Sequence, residues 1–264
     1  MEKSSLGHRK CCAPPSPTEG RLSDPSRWVL LLTGFSPDSP GENTLCSLVG
    51  SPSDLMGLPL YLRRVGALYE ALLREGIVQL RGEAPFFRWA SSCLNSVYLD
   101  FRRCLAYPTL RRALIEGLLA YLREGNPFFR AVAGVATGGI SWAAWIAERL
   151  DLPMGYVRNT PKTHGTSQLV EALLPQHSPV LLIEDVLSTG QSTLTAAAHL
   201  QREGFSLAAI AVLWDYDLPQ RQDIPYPTYS VLHFLRALQA WQPHLSASYY
   251  QLLKIWHKTG ELPA

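Results

Sequence analysis

The sequence has 264 residues, of which 47% are hydrophobic, and its 24 basic and 22 acidic side chains leave a formal net charge of +2. This length is enough for one large α/β domain with a full core. The near balance of charge creates no broad field that would attract nucleic acid or a membrane surface, so an anionic ligand must be bound by a local group of residues. The composition therefore favours an ordinary globular protein that binds neither nucleic acid nor a membrane.

The five cysteines lack the paired C-x-x-C spacing of a zinc site or a redox motif, and their number is odd. They are Cys11, Cys12, Cys46, Cys93 and Cys104. Free thiols in a reducing compartment are the simplest interpretation. The longest apolar run near the start, Trp28 to Phe35, is too short to span a bilayer and follows no clear signal-peptide pattern. We therefore expect a cytoplasmic protein that contacts no membrane.

Residues 1–58 differ in composition from the rest of the chain. They are dense in Pro, Ser and Gly and show no sustained helical or strand period. Such a segment buries too little apolar surface to offset its chain entropy. We expect a poorly ordered extension over residues 1–58 and one folded domain over residues 59–264.

The first periodic segment runs from Leu58 to Gly76 and predicts a helix, because its apolar residues recur at helical spacing and Gly76 suits a C-terminal cap. A short strand candidate, "SVYLDFR", follows. The next segment, "YPTLRRALIEGLLAYLREG", predicts a second amphipathic helix that begins near Pro108.

After Gly125 the pattern alternates between strand and helix. The strand candidates are "AVAGVA", "MGYVRN", "PVLLIED" and "LAAIAVLWDY", and the helix candidates are "ISWAAWIAERLD" and "STLTAAAHLQREG". Apolar runs without alternation are typical of parallel strands that are buried on both faces. A closing helix, "SASYYQLLKIWHKTGEL", ends the pattern. We therefore predict an α/β domain with a parallel sheet flanked by helices.

Two adjacent acids, Glu184 and Asp185, come at the end of an apolar strand and lead into the turn Ser188–Ser192. Ligands of a parallel sheet bind beyond the carboxyl ends of its strands. The turn has hydroxyls, a glycine and a helix start, which suit a phosphate group. Carboxylates beside a phosphate site fit a ribose phosphate. The alternative is structural: an acid caps the helix and the glycine only permits the turn.

The whole string from Ser178 to Gly204 resembles the phosphoribosyl diphosphate signature of the type I phosphoribosyltransferases. No G-x-G-x-x-G follows the strand, and "STGQST" lacks the G-K-[ST] ending of a P-loop. The resemblance implies a type I phosphoribosyltransferase fold, with a Rossmann-like parallel sheet and a small hood formed by the N-terminal part of the domain.

Three further stretches resemble orotate phosphoribosyltransferases. "RNTPKTHG", from Arg158, matches that family's R-x-x-x-K-x-H-G loop, and "GVATGGI" resembles its glycine-rich pyrophosphate loop. "WASSCLNSVYLDFR" resembles its W-A-S-G-x-K-S-P-x-Y-x-D-x-R segment. The resemblance covers about Leu60 to Trp256 and implies transfer of ribose 5-phosphate from 5-phosphoribosyl 1-diphosphate to orotate, giving orotidine 5′-monophosphate and pyrophosphate in UMP biosynthesis.

The resemblance also implies which residues form the site. The catalytic candidates are Lys162, Glu184 and Asp185. The candidates that bind phosphoribosyl diphosphate are Arg158, Lys162, His164, Glu184, Asp185, Val186, Leu187, Ser188, Thr189, Gly190, Gln191 and Ser192. The pyrophosphate-loop candidates are Ala136, Thr137, Gly138 and Gly139, and the orotate-binding candidates are Tyr98, Arg102 and Ser188. Mg²⁺ is the implied cofactor, held near Glu184 and Asp185 through substrate and water. A homodimer is implied, with the Arg158–Gln168 loop acting across its interface.

The chain departs from the family pattern at several positions. In the W-A-S-G-x-K-S-P-x-Y-x-D-x-R segment, the family's glycine is Ser92 here, its lysine is Leu94, and its Ser-Pro is Asn95 and Ser96. Two alternatives therefore stay open. One is a phosphoribosyltransferase for another base, and the other is a regulatory protein that senses phosphoribosyl diphosphate without turnover.

Overall fold

The computed structural model describes residues 60–83, 86–88, 94–160, 169–171, 174–175, 177–219, 221–260 and 262, with the side chains of residues 60–66 outside this description. The predicted boundary near residue 58 lies outside these ranges and stays a prediction. Among the described residues, no helix has both the length and the apolar character needed to cross a bilayer.

The centre of the fold is a six-stranded sheet. Its strands are β5 Ala131–Val135, β6 Met154–Val157, β7 Val170–Glu171, β8 Pro179–Leu187, β9 Ser206–Asp215 and β10 Thr228–His233. The strand order is β10-β9-β8-β5-β6-β7, and neighbouring strands are parallel except β7, which pairs antiparallel with β6. The predicted parallel sheet is confirmed, and five strands end at what we call its carboxyl end.

Helices cover both faces of this sheet. They are α1 Leu60–Arg74, α2 Pro108–Gly125, α3 Gly138–Leu150, α4 Gln191–Arg202, α5 Phe234–Trp241 and α6 Ala247–Thr259. A hydrophobic core lies on each face of the sheet, and successive residues of β8 point into one core and then the other. Leu181 and Ile183 pack with α2 and α3, whereas Val180 and Leu182 pack with α4. Burial on both faces explains why β8 is apolar without alternation.

The sequence patterns did not predict β10 or α5. The strand is six residues long and passes directly into the helix at Phe234, so no turn separates the two patterns. Pairing with β9 stabilises β10, and Val231 and Leu232 are fully buried there. Tertiary pairing therefore decides this strand.

A small layer of short strands precedes the main sheet, and we call it the hood. Strand β1 (Val78–Leu80) pairs antiparallel with β4 (Val97–Leu99), and β2 (Phe87–Arg88) pairs antiparallel with β3 (Leu94–Asn95). The predicted "SVYLDFR" strand corresponds to β4. The other three were not predicted, because two or three residues are too few to show a period.

Candidate active site

The two acids predicted from the sequence lie near the carboxyl end of β8, which has β5 on one side and β9 on the other. The strand continues for two residues beyond Asp185, to Leu187, before the turn begins. Successive residues of a strand point to opposite faces, so the two carboxylates have different surroundings.

Glu184 points into the protein. Its side chain is 5% exposed, and its Oε2 accepts hydrogen bonds from the hydroxyls of Ser192 (3.1 Å) and Thr193 (3.3 Å) at the start of α4. Burial, and then the neighbouring charge of Asp185, raise the pKa of Glu184 to about 8. The proton and the two hydroxyls satisfy a carboxyl group that would be costly to bury ionised.

Asp185 is half-buried and closer to solvent. Its Oδ1 accepts a hydrogen bond from the Val186 backbone N–H at 2.9 Å. Burial raises the pKa of this carboxyl above its ordinary value, while the nearby charge of Arg102 opposes the increase. Asp185 is therefore the acid of the pair that is placed to meet a polar ligand or a hydrated cation.

The buried carboxyl of Glu184 gives the stability of the unliganded protein a pH dependence. Its folded-state pKa of about 8 is above the ordinary 4.5, so the folded state holds a proton that the unfolded state has lost between these values. Its contribution is complete below about pH 4.5 and is lost as the pH rises towards about 8, at about 1 kcal/mol per pH unit. In urea denaturation, the parent's free energy of unfolding should fall more steeply over this interval than that of Glu184→Gln. Parallel curves for the two proteins would contradict this assignment.

The turn Ser188–Gly190 connects β8 to α4. Gly190 has φ +81°, a left-handed conformation that glycine adopts without strain, and it is the N-cap residue of α4. Because glycine has no side chain, no side-chain hydrogen bond caps the first backbone N–H groups of the helix. The carboxylate of Glu184 contacts hydroxyls rather than these N–H groups. The helix start therefore keeps the donors and positive dipole end that suit a phosphate.

Gln222, which was not predicted as a site residue, stabilises this turn through two hydrogen bonds. The backbone N–H of Gln222 donates to the Thr189 carbonyl (2.9 Å), and its side-chain Nε2 donates to Oε1 of Gln191 (2.7 Å). Gln222 lies in the long connection between β9 and β10, and nothing in its sequence surroundings points to this contact. The predicted phosphate loop is thus held from outside as well as by α4.

The second glycine-rich turn, Ala136–Gly139, follows β5 and lies beside the acids. It contains a cis peptide bond between Ala136 and Thr137. A Cβ on Gly138 would overlap the carboxylate of Asp185, and one on Gly139 would overlap the backbone oxygen of Ile183. The structure therefore brings the predicted pyrophosphate loop into direct contact with β8 and its acids.

This contact makes Gly138→Ala a sharp test of the turn. The added methyl group must displace either Asp185 or the turn itself, so we expect kcat/KM for phosphoribosyl diphosphate to fall at least about tenfold. The measurement is steady-state pyrophosphate release, with thermal melting as the control for folding. Parental kinetics in a folded Gly138→Ala protein would show that the close approach has no bearing on the site.

Two of the predicted base-binding residues, Tyr98 and Arg102, lie in β4 of the hood and shortly after it. The Arg102 Nη2 donates to the Tyr98 hydroxyl at 3.0 Å, and its Nε donates to Asp100 Oδ1 at 2.7 Å. The positive charge of Arg102 is one of the causes that lower the pKa of Asp185 against the larger effect of burial. Burial raises the pKa of Tyr216, which follows β9, well above its ordinary value, and Tyr98 adds to this increase.

The predicted Arg158–Gln168 loop is described only at its first residues. Arg158 follows β6, and its backbone N–H bonds to the Leu169 carbonyl at 2.8 Å, so the two ends of the segment are joined. Nδ1 of His199, in α4, contacts the Arg158 carbonyl at 3.0 Å. Lys162 and His164 lie outside the described residues, and their roles stay predictions.

A second group of polar side chains lies at the carboxyl end of β9 and β10. Single ligand atoms of Asp215, Asp217 and His233 lie within 4.8 Å of one another. They already have partners: Asp215 accepts from Arg221 and from the Asp217 N–H, and Asp217 contacts His233 Nδ1 at 3.0 Å. The sequence feature that could have indicated this group is Asp215, an acid at the end of the apolar strand β9, as Asp185 is near the end of β8. This group forms a network of hydrogen bonds around the ion pair of Arg221 and Asp215.

Comparisons with known proteins place these features in a family. Residues 109–245 match the model of the phosphoribosyl transferase domain, which covers both glycine-rich turns and the acids. The chain is 40% identical over 134 residues to an orotate phosphoribosyltransferase of Enterococcus faecalis, a match that covers 51% of this chain and 64% of that enzyme's length. It is 34% identical over 193 residues to the orotate phosphoribosyltransferase of Levilactobacillus brevis, covering 73% of this chain and 86% of the enzyme.

The fold is also similar to that of a solved relative. The crystal structure of orotate phosphoribosyltransferase from Aeropyrum pernix superposes with a TM-score of 0.58 at 30% identity, covering 66% of this chain and 98% of that one. The parallel sheet, the glycine-rich turns and the paired acids agree with these sequence matches. The chain therefore belongs to the orotate phosphoribosyltransferase family of type I phosphoribosyltransferases.

Proposed function

We propose that this protein transfers ribose 5-phosphate from 5-phosphoribosyl 1-diphosphate to orotate, giving orotidine 5′-monophosphate and pyrophosphate. One observation carries the proposal. Two adjacent carboxylates stand beside a helix N-terminus without a side-chain cap, at the carboxyl end of one parallel sheet. This arrangement suits a ligand with a phosphate at one end and sugar hydroxyls at the other.

In this mechanism the phosphate loop fixes the sugar. Backbone N–H groups from Leu187 to Ser192 bind the 5′-phosphate, and Asp185 accepts hydrogen bonds from the ribose hydroxyls. The bond from the anomeric carbon to pyrophosphate then breaks and a bond from that carbon to the base nitrogen forms. Positive charge develops on the ribose and negative charge on the leaving group. Holding both reactants in line lowers the entropic part of the barrier.

The residues around the acids fit Mg²⁺. The carboxylate of Asp185 supplies hard oxygen ligands near solvent, which this ion prefers. When bound with the substrate, Mg²⁺ would neutralise pyrophosphate oxygens. Asp185, with Glu184 behind it, would hold the hydrated ion through water and substrate. The turn of Gly138 and Gly139, which contacts Asp185, would supply backbone groups to bind the pyrophosphate.

The base is proposed to lie between the hood and the end of β9. Tyr98 and Arg102 of the hood and Ser188 of the phosphate loop supply polar groups there. The positive charge of Arg102 suits an acceptor that carries a carboxylate. Leu94, which stands at the position of the family lysine, is 47% exposed and brings no charge of its own.

We also propose a homodimer in the cytoplasm, with the Arg158–Gln168 loop of one subunit completing the site of the other. Lys162 would neutralise the leaving pyrophosphate, with Arg158 and His164 beside it. The joined ends of the segment, at Arg158 and Leu169, support a loop with a fixed base. For the compartment, the support is a free, buried thiol at Cys104.

A screen of acceptor bases tests this function. The protein, phosphoribosyl diphosphate and Mg²⁺ are incubated with orotate, uracil, adenine, hypoxanthine or guanine, and pyrophosphate release is measured. We expect release with orotate alone. Release with another base would assign a different phosphoribosyltransferase. Binding of phosphoribosyl diphosphate without release for any base would indicate a sensor.

A further inference from the structure

The C-terminal helix α6 reaches across the chain to the hood through Tyr249. The Tyr249 hydroxyl donates to the Ser96 carbonyl (3.1 Å) and lies 2.8 Å from the Ser96 hydroxyl. Its ring packs on Gly82, where an added Cβ would meet ring atoms at 3.6 Å. The chain separation between Tyr249 and Ser96 is 153 residues. The side chain of Tyr249 thus connects α6 to Ser96, which lies between β3 and β4 of the hood.

Ser96 is the centre of this contact. Its hydroxyl lies 2.6 Å from the Arg81 carbonyl, and its own carbonyl accepts the Arg81 N–H at 2.9 Å. Ser96 is fully buried, so these polar groups depend on each other and on Tyr249 rather than on solvent. A proline at this position, as in the family pattern, has no hydroxyl to join such a network.

Ser96 is also directly connected to the proposed base site. It is followed by Val97 and Tyr98 of β4, and Tyr98 stacks on Phe87 of β2 at a ring distance of 5.4 Å. The hydroxyl of Tyr98 accepts a hydrogen bond from Arg102. Because Ser96 directly precedes β4, a shift of Ser96 would also shift Tyr98 and its hydrogen-bond partner Arg102.

We propose that Tyr249 is a positioning residue for the acceptor base: by holding Ser96, it sets where Tyr98 and Arg102 stand relative to Asp185. This proposal rests on the proposed function, because it assumes that the hood binds the base. Among the described residues, the hydrogen bonds that join Tyr249, Ser96 and Arg81 do not involve the phosphate loop or the acids. Loss of a hydrogen bond in this network should therefore weaken the binding of the base and leave the binding of the sugar phosphate unchanged.

The test is Tyr249→Phe in the full chain, which keeps the ring on Gly82 and removes only the hydroxyl. We expect KM for orotate to rise about fivefold, which corresponds to the loss of about one hydrogen bond. KM for phosphoribosyl diphosphate and kcat should stay near the parent's values. If the hydroxyl only stabilised the fold, its removal would lower the melting temperature without raising KM for orotate selectively over KM for phosphoribosyl diphosphate.

Two further variants make the result specific. Ser96→Ala should also raise KM for orotate, and the effects of the two substitutions should be less than additive in the double variant, because the contact between the two hydroxyls is lost in either single variant. Tyr250→Phe is the matched control. Tyr250 is the neighbour of Tyr249 in α6, is partly buried against the core, and contacts Lys254 through its ring, so its loss of a hydroxyl should leave both KM values unchanged.

The possible outcomes are distinguishable. An unchanged KM for orotate in a folded Tyr249→Phe protein overturns the proposal, as does an equal rise in both KM values. Additive effects of the two substitutions would place Tyr249 and Ser96 in separate roles and also overturn it. A parent protein that releases no pyrophosphate with orotate rejects the proposed function instead, and the Tyr249 variants are then compared with whichever base the parent uses, where unchanged KM again overturns the positioning role.

Discussion

Asp185→Asn is expected to lower kcat by at least about a hundredfold, while the protein remains folded. The carboxylate is the acid nearer to solvent, beside the phosphate loop and in contact with the turn of Gly138. An asparagine of the same size keeps an oxygen that accepts the Val186 N–H, so the local hydrogen bond survives. What is lost is the negative charge that the ribose hydroxyls and a hydrated Mg²⁺ would use.

The same substitution should not destabilise the protein. Burial raises the pKa of Asp185, so its negative charge is held at a cost in free energy that an uncharged asparagine does not have. We expect an unchanged or higher melting temperature together with the loss of turnover. The measurements are thermal melting and steady-state pyrophosphate release with orotate.

Asp151→Asn is the matched control for this experiment. Asp151 caps the C-terminal end of α3, at the opposite end of the sheet, and its left-handed backbone (φ 53°) is one that asparagine also adopts. It should keep parental kinetics. If Asp185→Asn also turned over like the parent, the acids would be structural and the proposed mechanism would be wrong.

Lys162→Ala should lower kcat by about a hundredfold or more and weaken substrate binding far less. The proposed role of Lys162 is to meet the pyrophosphate as negative charge accumulates there, so its contribution is larger in the transition state than in the ground state. Arg158→Ala and His164→Ala should show smaller losses in the same direction. Lys258→Ala, an exposed lysine at the end of α6, is the control.

Mixing two inactive proteins tests whether the loop acts across a dimer. In a mixed dimer of Lys162→Ala and Asp185→Asn subunits, one of the two sites combines an intact loop with intact acids. Part of the activity should therefore return on mixing. No recovery, despite confirmed exchange of subunits, would place the loop in its own subunit's site. An unchanged kcat in Lys162→Ala would remove this lysine from the mechanism.

Much of the candidate site could be predicted from the sequence because it is local. The apolar strand β8, the acids Glu184 and Asp185, the turn at Gly190 and the start of α4 follow one another along the chain. A strand that is buried on both faces must be apolar without alternation, and a left-handed turn residue is most easily glycine. Each of these requirements restricts which residue types can occur at a given position, so the sequence alone can show it.

The different surroundings of the two acids could not be predicted in this way. Adjacent residues in a strand point to opposite faces, but only the fold shows that Glu184 meets the hydroxyls of Ser192 and Thr193 while Asp185 meets Gly138. These neighbours determine how far each carboxyl is buried, and burial is the main cause of both pKa increases. The sequence identified the pair, and the tertiary structure assigned its two members different roles.

By itself the sequence determined the parallel α/β class, the acid pair, the two glycine-rich turns and the resemblance to a family. Only the tertiary structure decided β10, the brace of Gln222 on the phosphate loop, and the contact of Tyr249 with Ser96. The residues in these two contacts are 31 to 33 and 153 positions apart in the chain. Short-range periodicity and turn chemistry depend on neighbouring residues, so they can be recognised in the sequence. A hydrogen bond between distant segments exists only because packing of the core has brought these segments together.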